Sequence, residues 1–178
     1  MDVSTELYLQ YLEGNTDALR QLVEMYSDGL VRFAYCFVAS SAVAEDVMED
    51  TFASIIATKR RFSPQATFKT YLYRIARNTC VDYLRFHRKF VPLCDVENVL
   101  AFNDLETDVE KREEKRVLYK CLQQLPCEYR DVLQLVYLEG FETQEVCSIM
   151  RKSTKQVYNL LTRAKISLKN LLKMEGIE

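Results

Sequence analysis

The sequence predicts an all-α protein, with two small helical domains joined by an acidic linker and a helix-turn-helix in the second. Three observations carry this. Four glycines and three prolines in 178 residues are too few for a sandwich or barrel, whose turns recur every few residues. Long stretches repeat apolar residues at helical spacing, and the glycines and prolines fall mostly between them. The stretch from Asp95 to Glu110 holds six acids and no base and lacks clear periodicity in its first half, which reads as a linker. The boundaries that follow are 1–91, 92–108 and 109–178. With 48% hydrophobic residues, the chain can fill a core.

The elements follow in order. A short helix precedes Gly14. A second runs from about Asp17 to Val38 on Leu19, Leu22, Val23, Tyr26, Leu30, Phe33, Ala34 and Phe37, with Gly29 expected to interrupt it. A third spans about Val43 to Arg61, with Val43, Val47, Phe52, Ile55 and Ile56 on its buried side, and Pro64 ends the pattern. Thr67 can cap a fourth helix carrying Phe68, Tyr71, Leu72, Ile75, Ala76 and Leu84, which Pro92 breaks. Thr107 and Glu110 have capping-box spacing, so a fifth helix should begin there and reach about Gln124. Pro126 suits the first turn of the next, ending near Gly140. Two closely spaced helices complete the chain, about Thr143–Met150 and, from a second capping box at Ser153–Gln156, on to Met174. That is helix-turn-helix arithmetic, although Met150-Arg151-Lys152 lacks the frequent glycine.

Charge is unevenly distributed. Residues 59–89 hold nine Lys/Arg against the single acid Asp82, in a protein of net charge −2; without them the chain would stand at −10. Rings crowd the same island: Phe62, Phe68, Tyr71, Tyr73, Tyr83, Phe86 and Phe90. Cations hold a phosphate backbone and flat rings hold an unstacked base, so the island points to nucleic acid. On its helix Lys69, Tyr73, Arg77 and Asn78 lie away from Phe68, Leu72, Ile75 and Ala76. A second stripe, Arg151 to Lys173, has seven bases and no acid. Its position after a tight helix–helix connection favours a DNA major groove over a membrane surface. Upstream, Glu45, Asp46, Glu49 and Asp50 form two i,i+4 carboxylate pairs, whose mutual repulsion a basic partner would relieve.

Other chemistry is excluded by what the sequence lacks. There is no phosphate-cradling glycine loop and no nucleophile–histidine motif, so no enzyme is expected. Six cysteines without paired spacing and a single histidine argue against zinc, and no cofactor is expected. The thiols read as small apolar residues, with Cys80, among cations, the one candidate redox sensor. The chain begins with neither a signal-peptide pattern nor a spanning apolar run, so the expected location is cytoplasmic, without membrane insertion.

Taken together, three segments resemble the extracytoplasmic-function type of bacterial RNA polymerase sigma factor. Ala44-Glu45-Asp46-Val47-Met48-Glu49-Asp50-Thr51-Phe52 is similar to the family's helix that docks on the polymerase clamp helices. Phe68-Lys69-Thr70-Tyr71-Leu72-Tyr73-Arg74-Ile75-Ala76-Arg77-Asn78, with Asp82-Tyr83-Leu84-Arg85, is similar to its promoter-melting and −10-capturing segment. Leu125-Pro126, Arg130, Leu133, Leu138-Glu139-Gly140-Phe141 and Gln144-Glu145-Val146 resemble the start of its −35-recognising domain. Two departures stand out: Tyr71 occupies the usual place of a tryptophan, and Tyr158 and Leu160 replace cations expected on the recognition helix.

The resemblance implies a transcription initiation factor with core RNA polymerase and promoter DNA as partners, the DNA both as duplex and as melted non-template strand. An anti-sigma factor is a further implied partner. Glu45, Asp46, Glu49 and Asp50 would bind polymerase. Arg61, Lys69, Arg74, Arg77, Arg85 and Arg88 would grip phosphates at the melted region, where Tyr71 and Asn78 contact bases. Arg151, Lys152, Ser153, Lys155, Gln156, Tyr158, Asn159, Arg163 and Lys165 would serve the −35 element. The alternative is a helix-turn-helix regulator of duplex DNA that never joins polymerase, for which the acidic cluster has no evident use.

Overall fold

The computed structural model describes residues 2–59, 62, 66–87 and 109–177, and every regular element among them is helical. Helix α1 (Val3–Leu12) is capped by Asp2, whose carboxylate accepts from the Thr5 amide. Helix α2 (Thr16–Val38) is capped by Asn15 and runs unbroken through Gly29. A Cβ at Gly29 would lie 3.0 Å from the Tyr73 hydroxyl, so the glycine admits a ring from a neighbouring helix and does not break its own. Ala39 ends α2 at φ 54°, a left-handed position usually given to glycine.

Ser40 caps α3 (Ser41–Ala57), which stops short of the expected Arg61. Val47, Phe52 and Ile55 are buried as expected, but Ile56 is 47% exposed, one position past the buried stripe. Thr67 precedes α4 (Phe68–His87), its hydroxyl accepting from the Thr70 amide at 3.1 Å. These four helices share one core, in which Tyr8, Phe33, Phe37, Phe68 and Leu72 are wholly buried. Each such side chain stabilises the fold by about 2–3 kcal/mol relative to exposure.

The second half comprises α5 (Val109–Gln124), α6 (Cys127–Leu133), α7 (Thr143–Met150) and α8 (Thr154–Met174). The expected cap at Thr107 lies outside the described residues. Pro126 stands just before α6 as its cap residue, not inside its first turn. Helix α6 widens into a π-helical turn, Gln134–Leu138, for which the apolar spacing gave no signal. Between α7 and α8 the chain turns at Arg151 with φ 53°, so an arginine fills the place where a helix-turn-helix often has glycine. The capping box at Ser153 forms as read from the sequence: Ser153 accepts from the Gln156 amide and Gln156 accepts from the Ser153 amide.

The two halves pack together, α5 against α2 and α7 against α4. Arg130 donates to the Cys36 carbonyl at 2.6 Å and to the Gln123 and Leu125 carbonyls at 3.1 and 3.2 Å. It thus places a cation at the negative end of α2. Gln134, from the π turn, donates to the Phe33 carbonyl at 3.1 Å.

Candidate nucleic-acid interface

The face of α4 read from the sequence as solvent-directed lies in the seam between the halves. Tyr73 is 1% exposed, edge-on to Phe33 from α2 and Phe141 from the second half, both at 5.2 Å between ring centres. Its hydroxyl donates to Glu139 at 2.6 Å. Lys69 donates to the Glu139 carbonyl at 2.6 Å and sits 4.5 Å above the Phe141 ring. Thr70 donates to Glu145 at 2.9 Å. Arg77 forms an ion pair through Nε with Asp131, which is fully buried. A helical wheel of α4 separates its own domain's core from everything else, so it cannot mark residues that a second domain covers.

The seam's electrostatics follow from burial. Asp131 has one oxygen on Arg77, while Oδ1 is buried without a hydrogen-bond partner among the described residues. Desolvation pushes its carboxyl up to about 6, with the Arg77 charge and hydrogen bond pulling the other way. Burial likewise raises Glu139, against the Tyr73 hydrogen bond and the charges of Lys69 and Arg32. Tyr73 is raised by burial and by the Glu139 carboxylate.

Tyr71, expected to contact bases, is 5% exposed. Its ring packs 5.5 Å from Phe62 and 6.1 Å from Tyr8, and its hydroxyl lies 3.1 Å from that of Thr58. In this arrangement it is a core residue, because Tyr8 of α1 and Phe62, which precedes α4, pack around its ring. Arg74 sits 5.7 Å from the Tyr71 ring. Asn78 and Arg85 open onto a cavity of about 380 Å³, shared with Arg77, Val81, Asp82 and Arg151. Arg85 is exposed and 3.7 Å from Asp82. Arg61 and Arg88 lie outside the described residues.

Glu45, Asp46, Glu49 and Asp50 are all exposed along the outer face of α3. Asp46 and Asp50 border a groove with Val43, Val47, Thr79, Asp82, Tyr83 and the 82%-exposed Phe86. On α8 and its turn, Arg151, Ser153, Lys155, Gln156, Tyr158, Asn159, Arg163 and Lys165 are exposed, so the start of the helix presents a cationic and amide-bearing face. Lys152 is half-buried and ion-paired with Glu128 at 2.7 Å. Lys165 is 5.3 Å above the Tyr137 ring. Ser153 and Gln156 spend part of their hydrogen-bonding capacity on the cap.

Cys80 is wholly buried and its thiol is pushed well up by desolvation, with Asp131 adding to the rise. This corrects the expectation that surrounding cations favour its thiolate. The residues missed from the sequence are the acids of the seam, Asp131, Glu139 and Glu145. The only signal was that Glu139 and Glu145 flank the turn before the helix-turn-helix; nothing marked Asp131.

An exposed acidic helix face, a cation- and ring-rich helix and an exposed helix-turn-helix, in this order on an all-helical chain, are the arrangement of a sigma-type initiation factor. The comparisons agree. Residues 22–90 match Sigma-70 region 2, and residues 115–168 match Sigma-70, region 4. The ECF RNA polymerase sigma factor SigM of Bacillus subtilis is 30% identical over 152 residues, covering 85% of this chain and 93% of SigM. The RNA polymerase sigma factor CnrH of Cupriavidus metallidurans is 30% identical over 181 residues, 96% and 95% of the two chains. The structure of CnrH in complex with the cytosolic domain of CnrY superposes with a TM-score of 0.75 at 25% identity, covering 97% of this chain and 99% of that one. The sigma factor RpoE from Bartonella quintana, solved with the anti-sigma factor NepR, shares the fold with a TM-score of 0.68 at 20% identity, over 86% of this chain and 96% of that one.

The chain belongs to the extracytoplasmic-function family of RNA polymerase sigma factors. It is a transcription initiation factor that works with core RNA polymerase on promoter DNA, and it is not an enzyme.

Proposed function

We propose that residues 1–91 bind core polymerase and melt the promoter, that 92–108 link, and that 109–178 read the −35 element. Glu45, Asp46, Glu49 and Asp50 form the polymerase contact, an acidic row free for a basic partner. Arg61, Lys69, Arg74, Arg77, Arg85 and Arg88 grip phosphates around the opened strands. Asn78 and Tyr71 contact bases available only after unstacking, so binding shifts the duplex toward its open form without hydrolysis. Tyr71 must then leave the Tyr8–Phe62 cluster, or its ring supports a neighbouring base-binding surface from within. Ser153, Lys155, Gln156, Tyr158, Asn159 and Arg163 seat the start of α8 in a major groove, with Arg151, Lys152 and Lys165 on the flanking phosphates.

The observation that carries this reading is the exposed, cation-lined start of α8 in a chain whose α3 keeps four carboxylates in solvent. An anti-sigma factor is a further partner, in keeping with the RpoE relative solved with NepR. The proposed location is the cytoplasm, where polymerase and promoters are; among the described residues no helix is long and apolar enough to cross a membrane.

Run-off transcription with bacterial core polymerase on genomic fragments tests the reading. Promoter-specific transcripts are expected, and their absence with folded protein and active core would contradict it. Arg77→Ala with Asn78→Ala should impair open-complex formation, read by permanganate footprinting, more than core capture. Equal loss of both would remove the assigned melting role.

A further inference from the structure

Three arginines from the two halves of the chain meet at one cavity. Arg77 and Arg85, about two turns apart on α4, line a space of about 380 Å³ together with Asn78, Val81 and Asp82, and Arg151 reaches it from the turn between α7 and α8. The carboxylates at hand do not cancel these charges. Asp82 lies 3.7 Å from Arg85 with both side chains exposed, a pair that contributes little in water. Asp131 engages the Nε of Arg77, which leaves the terminal nitrogens of that guanidinium for another acceptor. Arg151 forms no ion pair among the described residues, and the acid nearest it in the turn, Glu128, is committed to Lys152.

Arg151 is also held at a backbone cost. Its φ of 53° lies in the left-handed region, where glycine is unstrained and a residue with Cβ is not. Glycine would end α7 there without that strain. Strain kept at a single residue points to a use for its side chain, and this side chain lines the cavity. The uncancelled charge and the strained backbone are independent observations, and they coincide at Arg151.

We propose that this cavity binds a small phosphorylated ligand, held through a di- or triphosphate chain by Arg77, Arg85 and Arg151. Guanidinium groups present paired N–H donors that match phosphate oxygens, and three separate ones favour two or more phosphoryl groups over one. Asn78, half-buried on the same wall, adds an amide donor. The volume is near the lower end of small-molecule sites, about 300–1,000 Å³, so it suits a phosphate chain with any sugar or base lying outside. A duplex does not enter such a space. The site therefore stands on the cavity itself and does not depend on the promoter contacts proposed for the same arginines.

Calorimetric titration of the full chain with sodium pyrophosphate, ATP, AMP and inorganic phosphate, at matched ionic strength and without divalent metal, tests the site. Pyrophosphate and ATP should each bind saturably at one site, at least about tenfold tighter than phosphate or AMP. Pyrophosphate as tight as ATP assigns the phosphate chain as the whole determinant, and tighter ATP assigns a nucleotide whose sugar or base adds contacts. Arg151→Gly removes the side chain while suiting the backbone, so it should fold at least as well as the wild type yet bind about tenfold or more weakly. Arg85→Ala, at an exposed position, should weaken binding similarly. Lys169→Ala removes an exposed cation outside the cavity and should change the Kd by less than about twofold. The site is overturned by a wild type that binds neither pyrophosphate nor ATP saturably, or by Arg151→Gly binding at wild-type strength. Phosphate binding as tightly as pyrophosphate, or Lys169→Ala losing as much as Arg151→Gly, would overturn it equally.

Discussion

Arg77 and Asp131 show how burial in a seam between helices sets the protonation of a carboxylate. Paired in the seam, Asp131 carries a carboxyl pushed up to about 6 by burial. In the unfolded chain it returns to the ordinary carboxylate range near 4. A group raised in the folded state favours that state when protonated, so its contribution is complete below about pH 4 and is lost as pH rises through about 6. Lowering the pH from 7.5 to 5.5 should therefore raise the folded-to-unfolded ratio through this group about fourfold. The charged groups facing this carboxyl are Arg77, Glu128 and Lys152. Glu139, also raised by burial, acts in the same direction. Urea denaturation across this range checks the shift. Asp131→Asn should flatten most of it, and an equally steep response in that variant would assign the effect elsewhere.

At the scale of elements, most of the fold was legible because helices declare themselves locally. Apolar spacing and cap residues placed α2, α7 and α8 to within a residue or two, and Ser153 with Gln156 made the box their spacing promised. What the sequence hid was tertiary. Gly29 looked like a break because a local reading assigns glycine to a helix's weakness, whereas here Tyr73 of another helix needs the space. The π turn at Gln134–Leu138 had no spacing signal, and the seam acids had none that separated them from solvated charges. Of the candidate site, α3 and the start of α8 were readable because their residues do face solvent; the α4 face was not, because its cover comes from more than 50 residues away in sequence. One element boundary offers a direct check. Ala39 holds φ 54° at the end of α2, a conformation costing a residue with Cβ about 1 kcal/mol. Ala39→Gly should therefore stabilise the protein slightly, by up to about 0.5 kcal/mol in urea denaturation, since the strain relieved is partly offset by the added freedom of the unfolded chain. A loss of stability there would mean that the Ala39 methyl packs for more than the strain it causes.

For the whole molecule, the acidic face of α3 and the seam between the halves lie on different elements, so they should respond to different substitutions. The carboxylates on α3 are exposed and take no part in the seam. Glu45→Lys with Asp46→Lys turns two attractive charges of the proposed contact into repulsive ones on an exposed helix face. The pair should weaken capture by core polymerase at least about tenfold, roughly 1.4 kcal/mol, while the free protein keeps the wild-type scattering profile. Measured by core pull-down and scattering on the same samples, a charge-reversed α3 that also expanded the free protein would show that α3 and the seam form one coupled unit and that lost capture cannot be assigned to the carboxylates alone.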